Sequence, residues 1–264
     1  MEEDSIDLNI KGRKALVCAA SRGLGRACAE ALAREGVLVT ITGRDAIALE
    51  KAAQEIEADT GTPILMAPGD ISTESGRHAA LSACADPDIL VTNGGGPPLG
   101  RFGDFGHKDW LAAIEMSMLA PLALIRATYA GMRWRKFGRV INITSAYVKA
   151  PIEMLPLSVG PRAGLSASVA WLAREGCADN VTINNLLPEM ILTRRAEDGF
   201  QFLAEKAGKS YEQFVSELVS TLPARRLGTP AELGSVCAFL CSAQAAYVTN
   251  QNILVDGGHY SGLS

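Results

Sequence analysis

Gly23 and Gly25 close the segment Cys18-Ala19-Ala20-Ser21-Arg22-Gly23-Leu24-Gly25, which follows a short apolar run and opens a helical pattern. A glycine turn between a strand and a helix lets a phosphorylated ligand approach the helix N-terminus, where unpaired amides and the macrodipole favour negative charge. A glycine pair by itself also suits an ordinary turn. Two arginines sharpen the reading. Arg22 lies in the turn, and Arg44 ends Ile41-Thr42-Gly43-Arg44, a second apolar run that closes without a carboxylate. Both residues can bind a further phosphate through charge-assisted hydrogen bonds, and the competing reading leaves both solvated. A second group of reactive side chains lies mid-chain: Ser145, Tyr147, Lys149, Glu153, Ser158, Arg162 and Glu189. Hydroxyls can polarise or protonate an oxygen, a desolvated lysine can act as an acid, and an arginine stays a fixed cation. The six cysteines are scattered and no Cys-x-x-Cys accompanies a histidine cluster. No metal site and no disulfide framework are expected, and a reducing compartment fits best.

Short β-branched runs alternate with helical periodicity along the chain. The strands are expected at Lys14–Ala19, Val37–Thr42, Pro63–Ala67, Ile89–Thr92, Arg139–Thr144, Thr182–Leu187 and Ile253–Val255. Helices are expected between them, at Gly23–Glu35, Ala46–Asp59, Thr73–Cys84, Lys108–Lys136, Leu157–Cys177 and Pro230–Ser242. This order predicts an α/β fold, a parallel sheet of about seven strands with helices on both faces. No linker divides residues 1–264, so one domain is expected. The polar, helix-prone stretch Thr193–Leu222 falls at the carboxyl end of the sheet, where open α/β sheets bind ligands. It reads equally as a lid over a substrate or as a fixed surface hairpin.

The formal charge of −4 and pI near 5.5 give no electrostatic footprint for nucleic acid. The cluster Arg133, Arg135, Lys136 and Arg139 reads as a solvated helix end. No apolar run is expected to reach the roughly 18–20 residues that span a bilayer. The acidic start MEEDSIDLN is unlike a secretory signal. A cytoplasmic protein with a small-molecule substrate, and without nucleic-acid or membrane partners, is the expectation.

Taken in order, the motifs resemble those of the short-chain dehydrogenase/reductase family over about residues 10–259. Cys18–Gly25 is similar to its Thr-Gly-x-x-x-Gly-x-Gly, with Ala19 in place of the first glycine. Gly69-Asp70-Ile71 is similar to its adenine contact, Thr92-Asn93-Gly94-Gly95-Gly96 to its Asn-Asn-Ala-Gly, and Pro188-Glu189-Met190-Ile191-Leu192-Thr193 to its Pro-Gly-x-x-x-Thr. Arg226–Glu232 and Val255–Gly258 match its C-terminal segments. The resemblance implies a Rossmann-type fold and a nicotinamide cofactor held by Ser21, Arg22, Gly23, Leu24, Gly25, Arg44, Asp70, Ile71, Asn93, Gly94, Gly95, Arg162, Pro188, Ile191 and Thr193. NAD-binding enzymes usually place an acidic residue after the second strand. Arg44 stands there instead, so NADP(H) is expected rather than NAD(H). The family's catalytic set is an asparagine, a serine, and a tyrosine followed four residues later by a lysine. Here Ser145 takes the serine place, while Ser117, Ser158 and Arg162 stand at the other three, and no Tyr-x-x-x-Lys occurs anywhere. An atypical branch is implied, often labelled 3-oxoacyl-(acyl-carrier-protein) reductase. Two readings follow: an oxidoreductase acting on a carbonyl or alcohol with Lys149 or Tyr147 as the replacement proton source, or a nucleotide-binding protein without turnover. The competing view of that pair is a surface lysine and a packing tyrosine. A homotetramer or homodimer is implied by the same resemblance.

Overall fold

Seven short runs build one parallel sheet in a computed structural model that describes residues 6–263. The strands are β1 (Lys14–Val17), β2 (Leu38–Gly43), β3 (Ile64–Pro68), β4 (Ile89–Thr92), β5 (Gly138–Ile143), β6 (Val181–Pro188) and β7 (Asn252–Val255), in the order β3-β2-β1-β4-β5-β6-β7. Both β4 and β5 are buried along their whole length, which is why those runs carry little polar alternation. The expected strands are all present, shifted by one or two residues at their ends. β1 stops at Val17 rather than Ala19, because Ala19 adopts φ 49° and turns the chain. The sheet order reverses between β1 and β4, the place where open α/β sheets leave a crevice.

Helices α1 (Gly23–Arg34), α2 (Ala46–Thr60) and α9 (Pro230–Cys241) cover one face over a core that includes Leu32, Leu49, Ile56, Leu233 and Leu240. α3 (Glu74–Ala83), α5 (Ala120–Trp134) and α6 (Pro156–Gly176) cover the other, around Leu124, Ile125, Met132, Leu165 and Val169. Local chemistry sets the boundaries. Asp45 caps α2 by accepting from the Ala48 amide, and Gly61 ends it at φ 70°. Thr229 and Glu232 form a capping box at the start of α9. α9 lies tight on α1 because Gly234 has no Cβ, which would sit 2.5 Å from the Ala27 carbonyl oxygen.

A polar ladder crosses the carboxyl half of the sheet. Thr92 Oγ1 donates to Asn142 Oδ1 at 2.7 Å, Asn142 Nδ2 to Asn185 Oδ1 at 2.9 Å, and Asn185 Nδ2 to Asn252 Oδ1 at 2.8 Å. These are register partners on four adjacent strands, so a slip of one residue would strand buried amides.

Three expectations need correction. The helix expected at Lys108–Lys136 is a continuous run, His107–Trp134, interrupted in pitch: α4 (His107–Ile114), a π turn (Glu115–Leu119), then α5. By length and composition this run could cross a membrane, with a mean hydropathy of 1.4 in its most apolar window, contrary to the sequence reading. In the fold it packs on the sheet and on α6. The basic cluster is only in part a solvated helix end. Arg133 pairs with Glu175 and Asp179, Arg135 with Asp86 and Asp88, and Lys136 with Asp179. Arg139 is fully buried, donating to the carbonyls of Gly138, Asn180 and Ser242 and to Asn180 Oδ1. The stretch Thr193–Leu222, read equally as a lid or a fixed hairpin, folds as a pair of helices, α7 (Arg194–Lys206) and α8 (Tyr211–Thr221), joined at the Ser210 cap. The acidic start of the chain lies largely outside the described residues.

Candidate functional site

A groove of about 810 Å3 opens at the reversal between β1 and β4. Its floor is the turn after β1. Cys18 N donates to Val91 O and Ala20 N to Thr42 O, both at 2.9 Å, so the turn is pinned to both neighbouring strands. Asn93 Nδ2 reaches the Ala19 carbonyl at 3.4 Å from the β4 side. Gly25 is needed for close approach: a Cβ there would lie 2.5 Å from Ala19 O and 2.8 Å from Cys18 O. Arg22 occupies the N-cap of α1 without a side-chain cap bond, and the first turn holds no acidic residue. The free amides of α1 therefore face the groove, an arrangement suited to a diphosphate.

Most sequence-expected cofactor residues line this groove together: Ser21, Arg22, Gly23, Leu24, Arg44, Asp70, Ile71, Asn93, Gly94, Gly95 and Thr193. Arg22 and Arg44 are exposed and, among the described residues, neither has an ion pair. Asp70 Oδ1 accepts from the backbone and hydroxyl of Ser72 at 2.9 and 2.8 Å, which fixes its carboxylate at the rim. Thr193 Oγ1 caps α7 by accepting from Ala196 N at 3.2 Å, and its methyl faces Gly23. Gly25, Pro188 and Ile191 lie outside the lining; Ile191 is buried in the core behind it.

Ser145, Tyr147, Lys149, Ser158 and Arg162 also lie outside the groove lining. Ser145 is half-buried, follows β5 in extended backbone, and its Oγ accepts from the Tyr147 amide at 3.3 Å. Ser158 and Arg162 are successive-turn neighbours on α6, both buried, and Arg162 Nη1 donates to Ser158 Oγ at 2.7 Å. Burial and the nearby charge of Arg195 push the Arg162 guanidinium down to about 10. Pro161 sits inside α6 and removes the amide that would bond to Leu157. Ser117, at the asparagine place, falls within the π turn, and its buried Oγ has no partner among the described residues.

Three side chains from distant segments meet beside Ser145. The Glu189 carboxylate lies near the Tyr147 phenol, and burial, then the Glu189 charge, raise the phenol well above its ordinary value. Glu189 keeps 6% side-chain exposure, and its Oε1 lies 2.9 Å from Nδ1 of His259. His259 is partly exposed, so the chain Tyr147–Glu189–His259 runs from the interior to solvent. Lys149 stands apart, with Nζ 5.7 Å from the Tyr260 ring centre. Glu153 pairs with Arg101 at an exposed position. A Tyr-x6-Lys spacing occurs at Tyr129 and Lys136, but Tyr129 donates to Leu172 O and Lys136 pairs with Asp179, far from the groove.

Sequence reading missed two candidates. Arg195, in the first turn of α7, reaches across the groove to donate to Gly96 O at 2.8 Å and Pro97 O at 2.6 Å. His259 follows β7, and only its meeting with Glu189 in space marks it. Among the described residues no group of three His, Cys, Asp or Glu side chains can hold a metal ion.

The family model described as enoyl-(acyl carrier protein) reductase matches residues 18–260. The chain belongs to the short-chain dehydrogenase/reductase family. Nodulation protein G of Rhizobium sp. (strain N33) is 32% identical over 254 residues, covering 94% of this chain and 97% of that protein. A 3-oxoacyl-(acyl-carrier-protein) reductase of Vibrio cholerae is 30% identical over 263 residues, covering 96% and 99%. Among solved structures, L-sorbose reductase from Gluconobacter frateurii, complexed with NADPH and L-sorbose, superposes with a TM-score of 0.91 at 28% identity, covering 98% of this chain and 100% of that one. As a member of the short-chain dehydrogenases/reductases the chain is an oxidoreductase by kinship, and its Rossmann-type fold matches that of its structural neighbours.

Proposed function

We propose that the protein is an NADP(H)-dependent oxidoreductase acting on a carbonyl or alcohol, with Tyr147 rather than a helix-borne tyrosine moving the proton. The observation that carries the reading is the groove at the sheet reversal, with an uncapped α1 N-terminus on its floor and, at one end, Arg22 and Arg44, which have no ion pair among the described residues. The close approach of α1 to the turn that Gly25 permits sets its N-terminus for a diphosphate, and the two arginines fit a 2′-phosphate. The related L-sorbose reductase is seen in complex with NADPH, which points the same way. The bound nicotinamide supplies a hydride to the carbonyl carbon.

The chain's own residues then handle charge and protons. Ser145 is placed to polarise the carbonyl oxygen. Arg162, held through Ser158, offers a fixed cation for ribose hydroxyls but, as a guanidinium, does not shuttle protons. The oxygen that gains negative charge takes the Tyr147 proton. Glu189 passes a proton to the tyrosine and receives one from His259 Nδ1, which is refilled from solvent. In the oxidising direction every transfer reverses. α7 and α8 act as a lid, tied to the glycine loop by Arg195.

The test is NADPH titration by fluorescence followed by a broad carbonyl panel. Saturable binding with NADPH oxidation on at least one substrate supports the reading. Binding without oxidation across the panel overturns it in favour of a nucleotide-binding role. Tyr147→Phe should then lower kcat by about 10²–10⁴ while NADPH affinity holds, and Lys149→Ala should leave kcat within about threefold. The reverse pattern assigns the proton to Lys149. A homodimer or homotetramer is supported by exposed apolar residues on α4, the π turn and α6, among them Leu111, Leu119 and Trp171. Light scattering that gives a monomer removes it.

A further inference from the structure

We infer that Arg195 binds the cofactor diphosphate from the α7 side, as a third arginine of the nucleotide site that no sequence motif marks. The inference rests on the nicotinamide-cofactor reading above and gives the diphosphate a cation of its own, separate from those at the 2′-phosphate. The crevice between β1 and β4 has its floor where Asn93 Nδ2 meets the Ala19 carbonyl at 3.4 Å. α7 starts on one bank of that crevice: the Thr193 methyl lies 3.6 Å from where a Cβ on Gly23 would stand. Two residues on, Arg195 reaches the other bank, donating from Nη1 to Gly96 O at 2.8 Å and from Nη2 to Pro97 O at 2.6 Å. Gly23, Asn93, Gly96, Thr193 and Arg195 all line the groove. The guanidinium therefore bridges the crevice over the stretch of floor that adjoins the α1 N-terminus, the place of the diphosphate.

The surroundings of this side chain fit an anion. Arg194, its neighbour on α7, pairs with Asp198 one turn on, at 3.1 Å. Arg195 has no carboxylate partner among the described residues, and its two bonds go to neutral carbonyls. A guanidinium carries five donors, so the Nε hydrogen and one on each terminal nitrogen are left over. Gly96 lets the group come close: at φ 69°, it would place a Cβ 2.6 Å from Nη1 and 2.7 Å from Cζ. One residue back along the same loop, Arg44 Nη2 lies 3.4 Å from where a Cβ on Gly95 would stand. Two cations without an ion pair among the described residues thus stand over successive glycines of one groove wall. Their origins divide the work. Arg44 follows β2, at the end of the groove with Asp70, whereas Arg195 comes from the helix seated on Gly23. A tie between α7 and the loop needs only donors. A full charge with open donors suits phosphate oxygens as well.

The experiment is fluorescence titration of NADPH and NADH, with calorimetric titration of adenosine 2′-monophosphate, which has no diphosphate. None of these needs turnover. Arg195→Ala should weaken both dinucleotides by about tenfold or more, the fold-change expected when a charge-assisted hydrogen bond is lost. The ratio of their affinities and the affinity for adenosine 2′-monophosphate should stay within about threefold of native. Arg195→Gln keeps donors for a carbonyl but no charge and should match alanine, whereas Arg195→Lys should keep part of the affinity. NADPH affinity within about twofold of native in Arg195→Ala or Arg195→Gln overturns the inference and leaves the side chain a tie between α7 and the loop. A loss confined to NADPH also overturns it, because the side chain then belongs to the 2′-phosphate. A native protein that binds neither dinucleotide defeats the nicotinamide reading and this inference with it. Weakened binding in the variants, with no oxidation of NADPH by the native protein, supports the inference and defeats only the proposed reaction.

Discussion

Replacing Glu189 by glutamine separates the proton route from the packing around it. The native carboxylate, 6% exposed, meets the His259 ring at 2.9 Å and lies near the Tyr147 phenol. Glutamine keeps the volume and one acceptor oxygen, but its NH2 group must then face one of two donors. One charge-assisted hydrogen bond is lost, about 1.5–3 kcal/mol. The desolvation penalty of the buried carboxylate, several kcal/mol, vanishes at the same time. These terms oppose each other, so folding stability should shift by about 1 kcal/mol or less. The transition state has no such offset. An amide cannot pass a proton from the His259 ring to the Tyr147 phenolate left after transfer, so the general-acid contribution of about 3–5 kcal/mol is exposed to loss. The assay is kcat at saturating NADPH across a pH series, on the best carbonyl of the panel, alongside urea unfolding. A fall in kcat of about 100-fold or more is expected, with KM within about threefold and the urea midpoint nearly unmoved. His259→Asn should reproduce the change in pH profile. A kcat within about twofold of native, with the same pH profile, refutes the relay.

Arg44→Ala should weaken NADPH by about tenfold or more and leave NADH within about threefold; equal losses in fluorescence titrations would remove the 2′-phosphate assignment. Gly25→Ala places a Cβ 2.5 Å from Ala19 O and 2.8 Å from Cys18 O, so it should destabilise by about 1–3 kcal/mol and loosen NADPH, and an unchanged urea midpoint would contradict the close approach. The Glu232 carboxyl is held down to about 2, first by Arg226 and then by the Thr229 amide. Because its folded value is depressed, the stabilisation is full above the ordinary value near 4.5 and disappears as pH falls toward about 2. The Tm gap between native protein and Glu232→Gln should close across that window, and a constant gap would show that the pair does not stabilise the fold.

The sheet was legible because β4, β5 and β6 are almost wholly buried, so their runs are mostly apolar, broken by the asparagine ladder and by Arg139, Thr182 and Asn184. The diphosphate end of the groove was legible too, since Gly23, Gly25 and Asn93 act within a few residues of the strands that carry them. The pitch change at Ser117 was not, because Glu115–Leu119 has ordinary helix-forming residues and periodicity alone does not distinguish a π turn. Glu189 stood out as a replaced glycine, but the strain fell on Met190 at φ 50° instead. Its partner His259 comes from a segment 70 positions away, and Arg195 reaches Gly96 across 99. Such meetings are set by topology, and no local pattern records them.

The π turn also gives the long helix slack. Ala120 N bonds to Glu115 O, five residues back, so the turn accommodates one residue more than an α-helical ring. Each residue of a regular α-helix advances its face by about 100°, and the wider turn absorbs that advance. Deleting one residue between Glu115 and Leu119 would therefore restore regular pitch while leaving α4 and α5 nearly in phase. Ala113 would stay buried beside α6 and Leu124 in the core against the sheet. The surplus residue works as a local bulge that re-aims the side chains of the turn itself, Ser117 among them, without moving either half of the helix.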